Sequence, residues 1–212
     1  MEWDAIVIEL RNRAQKMHEA REIGLAKCRL VIQTSAKCIR HVHRKQFVEA
    51  AKLLVDAKTL ASEARSALQG HGELYYAGYL HDAEKEMVEA AAVVAIVQDE
   101  PYPTADELGV MVMSYLNGMG EASSECRRFA LDEMRKGKME EAERILLRME
   151  AIYDDLITFD FPDTMTGGLR RTCDALRSVI ERTRSDLTTT AGQRELIREL
   201  RAAREQVTSA SE

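Results

Sequence analysis

Residues 3–45 read WDAIVIELRNRAQKMHEAREIGLAKCRLVIQTSAKCIRHVHRK, a stretch with no proline and with Ile6, Leu10, Met17, Leu25, Ile32 and Ile39 recurring at helical spacing. One long amphipathic helix accounts for that pattern, and it decides the fold class. The rest of the 212 residues agrees: 5% of the chain is aromatic, and it holds 11 glycines and 3 prolines, too few strand formers and turn residues for a sheet. Breakers divide the remainder of the chain into predicted helices over 45–68, 73–99, 105–135, 139–157, 166–187 and 193–207. Gly70-His-Gly72, Glu100-Pro-Tyr-Pro103, Gly137 and Phe159-Asp-Phe-Pro162 mark the connections. Thr104 and Glu107 form a predicted capping box. The expectation is an all-α bundle of about seven helices in a single domain spanning 1–212, with a frayed tail at 208–212.

Several classes are excluded. The longest apolar run, Ala90 to Val97, is far shorter than the ~20 residues of a membrane span. The first residues lack a basic region followed by an apolar one, which predicts no secretory signal and a cytoplasmic location. Cys28, Cys38, Cys126 and Cys173 show neither zinc-ligand spacing nor a disulfide framework, so they read as reduced packed thiols. No phosphate-binding loop, dinucleotide fingerprint or nucleophile elbow is present. Lys45-Gln-Phe-Val-Glu-Ala50 is echoed by Lys138-Met-Glu-Glu-Ala142, a pair too distant for a tandem array and read as coincidence.

The net charge of −6 conceals a division. Between Arg11 and Lys45 stand ten Lys or Arg residues against two acids, Glu19 and Glu22. Lys37, Arg40 and Arg44 share one helical face there, and such a stripe can follow a phosphate backbone. A solvated face of a long helix gives the same pattern. Acids concentrate later. Glu86 and Glu89 lie three apart on a face that continues into Val93 and Ile96, and Gly118, Glu121, Glu125 and Arg128 share a face of the next helix. Small residues from Gly118 to Ser124 allow a close helix approach. Two such carboxylate pairs can hold magnesium or manganese, which activate water for attack on a phosphodiester. A di-iron site is the competing chemistry but expects Glu-x-x-His, which is missing. Glu-x-x-Glu alone reads equally as a solvated helix face. His81 beside Asp82 can serve as a general base with its orienting acid or sit inert on the surface.

Five motifs occur in order at characteristic spacing: Glu73-Leu-Tyr-Tyr76; Tyr115-Leu-Asn-Gly118 with Glu125-Cys-Arg-Arg128; Tyr153-Asp-Asp-Leu; Phe159-Asp-Phe-Pro-Asp163; and Leu169-Arg-Arg-Thr-Cys-Asp174-Ala-Leu-Arg177. In this order they resemble the translin family, that is, translin and translin-associated factor X, in a compact form such as archaea carry. The resemblance implies a seven-helix bundle that assembles into a hollow octameric shell around single-stranded RNA or DNA, alone or with a paralogous subunit. In the factor X branch it also implies a magnesium-dependent endoribonuclease, whereas the translin branch mostly binds. Carried over, Glu86, Glu89 and Glu125 become metal ligands and catalytic carboxylates, with Mg2+ or Mn2+ as cofactor. The family's acid in a Gly-Asp pair is here Gly137-Lys138, and Glu140, Glu141 or Glu143 on the acid-rich helix start is offered in its place, Glu141 being the one carried into the catalytic set. The basic residues that follow the paired tyrosines in translin are replaced by Ala77-Gly-Tyr-Leu80, which passes binding to Lys37, Arg40, Arg44, Arg127 and Arg128. A catalytically silent single-strand-binding or scaffold protein is the alternative, and a metalloprotein unrelated to nucleic acid is a third.

Overall fold

The run Ala90 to Val97 is buried on every side, because it belongs to the central helix α4 of a computed structural model that describes residues 2–209. A helix that is apolar all round needs neighbours on all sides. Around it the chain places α1 (Trp3–His43), α2 (Phe47–Leu68), α3 (Gly72–Tyr75), α4 (Tyr79–Gln98) and α5 (Ala105–Leu108), then α6 (Val112–Arg135), α7 (Met139–Leu156), α8 (Asp163–Thr166) and α9 (Leu169–Ser209). All regular structure among the described residues is helical. No helix among them is long and apolar enough to cross a membrane.

α1 and α2 form an antiparallel hairpin. Gly24 stands against Leu68, Lys27 pairs with Glu63, and the Cys38 thiol donates to the Ala50 carbonyl 3.3 Å away. The hairpin turns on Lys45, whose φ of 58° is left-handed, and the α6–α7 corner turns likewise on Gly137 at φ 81°. The echoed segments Lys45–Ala50 and Lys138–Ala142 therefore open helices at equivalent corners. α4 and α6 instead run parallel, pairing His81 with Ser114 and Val88 with Gly118, since the connection through α5 carries the chain back along α4. Fully buried Glu84 ties that connection down: its carboxylate accepts from Arg65 at 2.8 Å and from the Met111 N–H at 2.9 Å.

The helix boundaries depart from expectation in four places, one of them the extra turn α8, which Gly167 and Gly168 separate from α9. The predicted 73–99 helix breaks at Gly78, whose φ of 101° is left-handed, and leaves α3 as a single turn. The 105–135 helix breaks at Gly109, φ 62°, just after the Thr104/Glu107 capping box, which is present. The predicted helices 166–187 and 193–207 are one continuous α9, in which Gly192 is accommodated on an exposed turn. A lone glycine costs a helix only about 1 kcal/mol against alanine. Of the expected frayed tail 208–212, Thr208 and Ser209 continue α9, and 210–212 lie outside the described residues.

Candidate metal centre and nucleic-acid interface

The parallel register of α4 and α6 sets their acidic faces side by side. Gly118 permits it: a Cβ there would stand 2.6 Å from Val88 Cβ and 2.7 Å from the Lys85 carbonyl. Across this contact Glu86, Glu89 and Glu121 converge, each offering a carboxylate oxygen within 4.8 Å of the others. All three are half-buried. Burial, followed by the charges of Glu86, Glu121 and Glu125, pushes the Glu89 carboxyl up to about 8. Burial and Glu121 also raise Glu86 above the usual carboxylate range. Lys85 partly compensates, its ammonium 2.8 Å from Glu121.

This gathering differs from the ligand set read from the sequence. Glu86 and Glu89 are in it, but their third partner is Glu121. Glu125, one turn further along α6, is engaged by His43 of α1, whose Nε2 lies 2.6 Å from Oε1. The His43 side chain is 4% exposed, and its Nδ1 is buried with no hydrogen-bond partner among the described residues. Glu125 thus borders the cluster from the α1 side. Glu141 is not brought to the cluster: its carboxylate pairs with Arg144 at 2.6 Å, and Arg144 in turn donates to the Ile96 and Val97 carbonyls at the end of α4. That network caps a helix. Lys138, in the place of the family acid, faces the nearly fully buried Glu133 at 3.8 Å, together with Lys45 at 2.8 Å and Lys136 at 2.9 Å.

Glu121 was legible on the shared face with Glu125, yet spacing could not rank the two. His43, 82 residues from Glu125, makes the difference, and no local pattern announces it. The donor set suits a hard divalent cation: oxygen ligands only, mutually repelling, with the Glu89 carboxyl raised by burial and then by its neighbours' charge.

The basic residues also separate. Lys37, Arg40 and Arg44 are exposed on the last turns of α1, and Arg128 is exposed on α6 one turn beyond Glu125. None of the four has an acidic partner among the described residues. Arg127 does: it donates to Thr183 at 3.0 Å and to Asp186 at 2.7 Å, pinning α6 to α9. The His43–Glu125 contact sets the basic end of α1 beside the carboxylates.

No family model matches the chain. An uncharacterised protein of Methanocaldococcus jannaschii is 28% identical over 170 residues, 80% of this chain and 75% of that protein. Among solved structures, AfC3PO in complex with duplex RNA is 35% identical with a TM-score of 0.83, covering 89% of this chain and 97% of that one. AfC3PO alone is 34% identical with the same TM-score, covering 89% and 98%. Apo-NeC3PO, at 23% identity and a TM-score of 0.78 over 87% and 96%, shares the fold. The all-helical order, the parallel α4–α6 pair and these likenesses over nearly the full length together make the chain a member of the translin family, to which the C3PO proteins belong.

Proposed function

We propose that this protein binds RNA and cleaves it with the help of a divalent cation, magnesium or manganese, held by Glu86, Glu89 and Glu121. The observation that carries the reading is the convergence of those three carboxylates beside unpaired cations. The cation supplies an activated water and stabilises charge on the phosphoryl oxygens. Lys37, Arg40, Arg44 and Arg128 hold the phosphate backbone, giving salt-sensitive, sequence-tolerant binding. Lys85, fixed on Glu121, adds a positive charge at the edge of the cluster. Glu125 keeps one oxygen on His43 at the α1 border of the cluster and would be the base that takes up the proton of the attacking water. Arg127 and Glu141, engaged in α6–α9 and α4–α7 contacts, drop out of the working set.

The substrate class is RNA because AfC3PO, 35% identical, was solved with duplex RNA. Single strands are the form proposed for cleavage, as the family resemblance implies. Assembly into a homo-oligomeric shell of octamer type, with or without a paralogous subunit, belongs to the same reading. A binding-only member is favoured by one observation, Lys138 where the family carries an acid.

Labelled single-stranded RNA and a duplex of the same sequence, each with magnesium, manganese or EDTA, test the proposal. Wild type is expected to cut the single strand only with metal. Glu86→Gln/Glu89→Gln is expected to bind normally without cutting. Cleavage that survives the double substitution rejects the site, binding without cleavage by wild type selects the silent reading, and absence of RNA binding at low salt rejects both.

A further inference from the structure

A cleft of about 340 Å3 opens on the α9 side of the carboxylate cluster and shares Lys85 and Glu121 with it. His81 from α4 and Arg171 from α9 also line it, with Gly167 and Gly168 between them. Its walls are held firmly. The Asn117 amide donates to the Met113 and Thr166 carbonyls at 2.9 and 2.8 Å and accepts from the Thr172 hydroxyl at 3.0 Å. His81 Nδ1 lies 2.9 Å from the hydroxyl of fully buried Ser114, which fixes the ring. The other ring nitrogen, Nε2, faces Gly167, where an added Cβ would come within 3.2 Å. In the tautomer whose Nδ1 accepts from the Ser114 hydroxyl, Nε2 carries the proton and is a donor. Arg171 is exposed and has no acidic partner among the described residues.

The cleft also has a direction. Glu125 touches α1, Glu121 lines the cleft, and both stand on α6 one turn apart. A strand led in along Lys37, Arg40 and Arg44 and crossing the cluster reaches this cleft next. Its volume is at the small end of ligand sites, about 300–1,000 Å3, and suits one nucleotide unit rather than a helix. Asp82 and Glu121 are the acidic residues of the lining and Arg171 of α9 has no acidic partner among the described residues, so a phosphate belongs beside Arg171.

Resting on the RNA-cleaving reading of the cluster, we infer that this cleft is a subsite for the nucleotide adjoining the phosphate under attack. Arg171 and His81 Nε2 donate to its phosphate, and Asp82 at the rim accepts from a ribose hydroxyl. Two such donors recognise a nucleoside monophosphate as well as a strand.

Calorimetric titration of AMP into the full chain in EDTA tests this without reference to cleavage, with adenosine and inorganic phosphate as controls. Ala175 is exposed on α9 and lines the cleft, so Ala175→Phe fills it without touching the core. AMP is expected to bind better than either control. Its affinity is expected to fall about tenfold in Arg171→Gln and in His81→Ala, the scale of one charge-assisted hydrogen bond, and to vanish in Ala175→Phe. AMP binding indifferent to Ala175→Phe and Arg171→Gln overturns the subsite, as does a wild type that binds RNA but not AMP, or one that binds phosphate as well as AMP. The parent reading fails separately, through cleavage that survives Glu86→Gln/Glu89→Gln.

Discussion

Glu89 is the residue on which the cluster's chemistry turns. Its carboxyl titrates near 8 rather than near 4.5 because it is buried among other carboxylates. Between those values the folded chain keeps a proton that the unfolded chain has lost, so this group's contribution to stability declines as pH rises and levels off above about 8. On the proposed reading a divalent cation takes the proton's place, so metal binding is expected to release a proton and to tighten with rising pH over the same interval. Melting temperatures from about pH 5 to 8, with and without magnesium, are expected to show metal stabilisation growing with pH in wild type. In Glu89→Gln both the pH slope and the magnesium effect should shrink. A magnesium effect as large in Glu89→Gln as in wild type would show that the ion binds elsewhere. At this scale the sequence displays Glu86 and Glu89 by spacing, and also Glu121 and Glu125. It cannot display which of the latter pair α1 removes through His43.

α4 and α6 act as a unit, since the Glu86/Glu89/Glu121 cluster exists only where their acidic faces are in register. Gly118→Ala places a methyl 2.6 Å from Val88 Cβ and 2.7 Å from the backbone carbonyl of Lys85, which cannot swing aside. We expect destabilisation by about 1–3 kcal/mol as the helices separate, and weaker magnesium binding although no ligand has changed. Gly192→Ala, with open space around the added methyl, is expected to stabilise α9 by up to about 1 kcal/mol. Denaturant midpoints and a magnesium titration on both variants check the contrast. Equal metal affinity in Gly118→Ala and wild type would refute the coupling. The glycines also explain the errors in helix boundaries. Gly78, the N-cap of α4, and Gly109, the C-cap of α5, interrupt the predicted helices with left-handed backbone while Gly192 does not, and composition reads all three alike.

Two helical arms extend beyond the packed body. The first turns of α1 carry exposed Trp3, Ile8 and Leu10, and α9 beyond Arg194, which donates to the Gly137 carbonyl at 2.7 Å, carries exposed Leu196, Ile197, Leu200 and Val207. Helices with this much uncovered apolar surface are poor monomers in water. Light scattering is expected to return a mass several times 23.9 kDa, and Leu196→Lys/Leu200→Lys to lower it. A single species at the chain mass in wild type would reject assembly through these arms.

The sequence by itself determined the helical class, most of the connections, the pairs Glu86/Glu89 and Glu121/Glu125, and the basic end of α1, because each is a periodic or local pattern. The tertiary structure alone decided the parallel register of α4 and α6, the choice of Glu121 over Glu125, the withdrawal of Arg127 and Glu141 into contacts between helices, and the cleft beside His81. Those depend on which residues distant in the chain meet across a helix contact. Helical periodicity fixes the face on which a side chain lies, but packing fixes what that face meets.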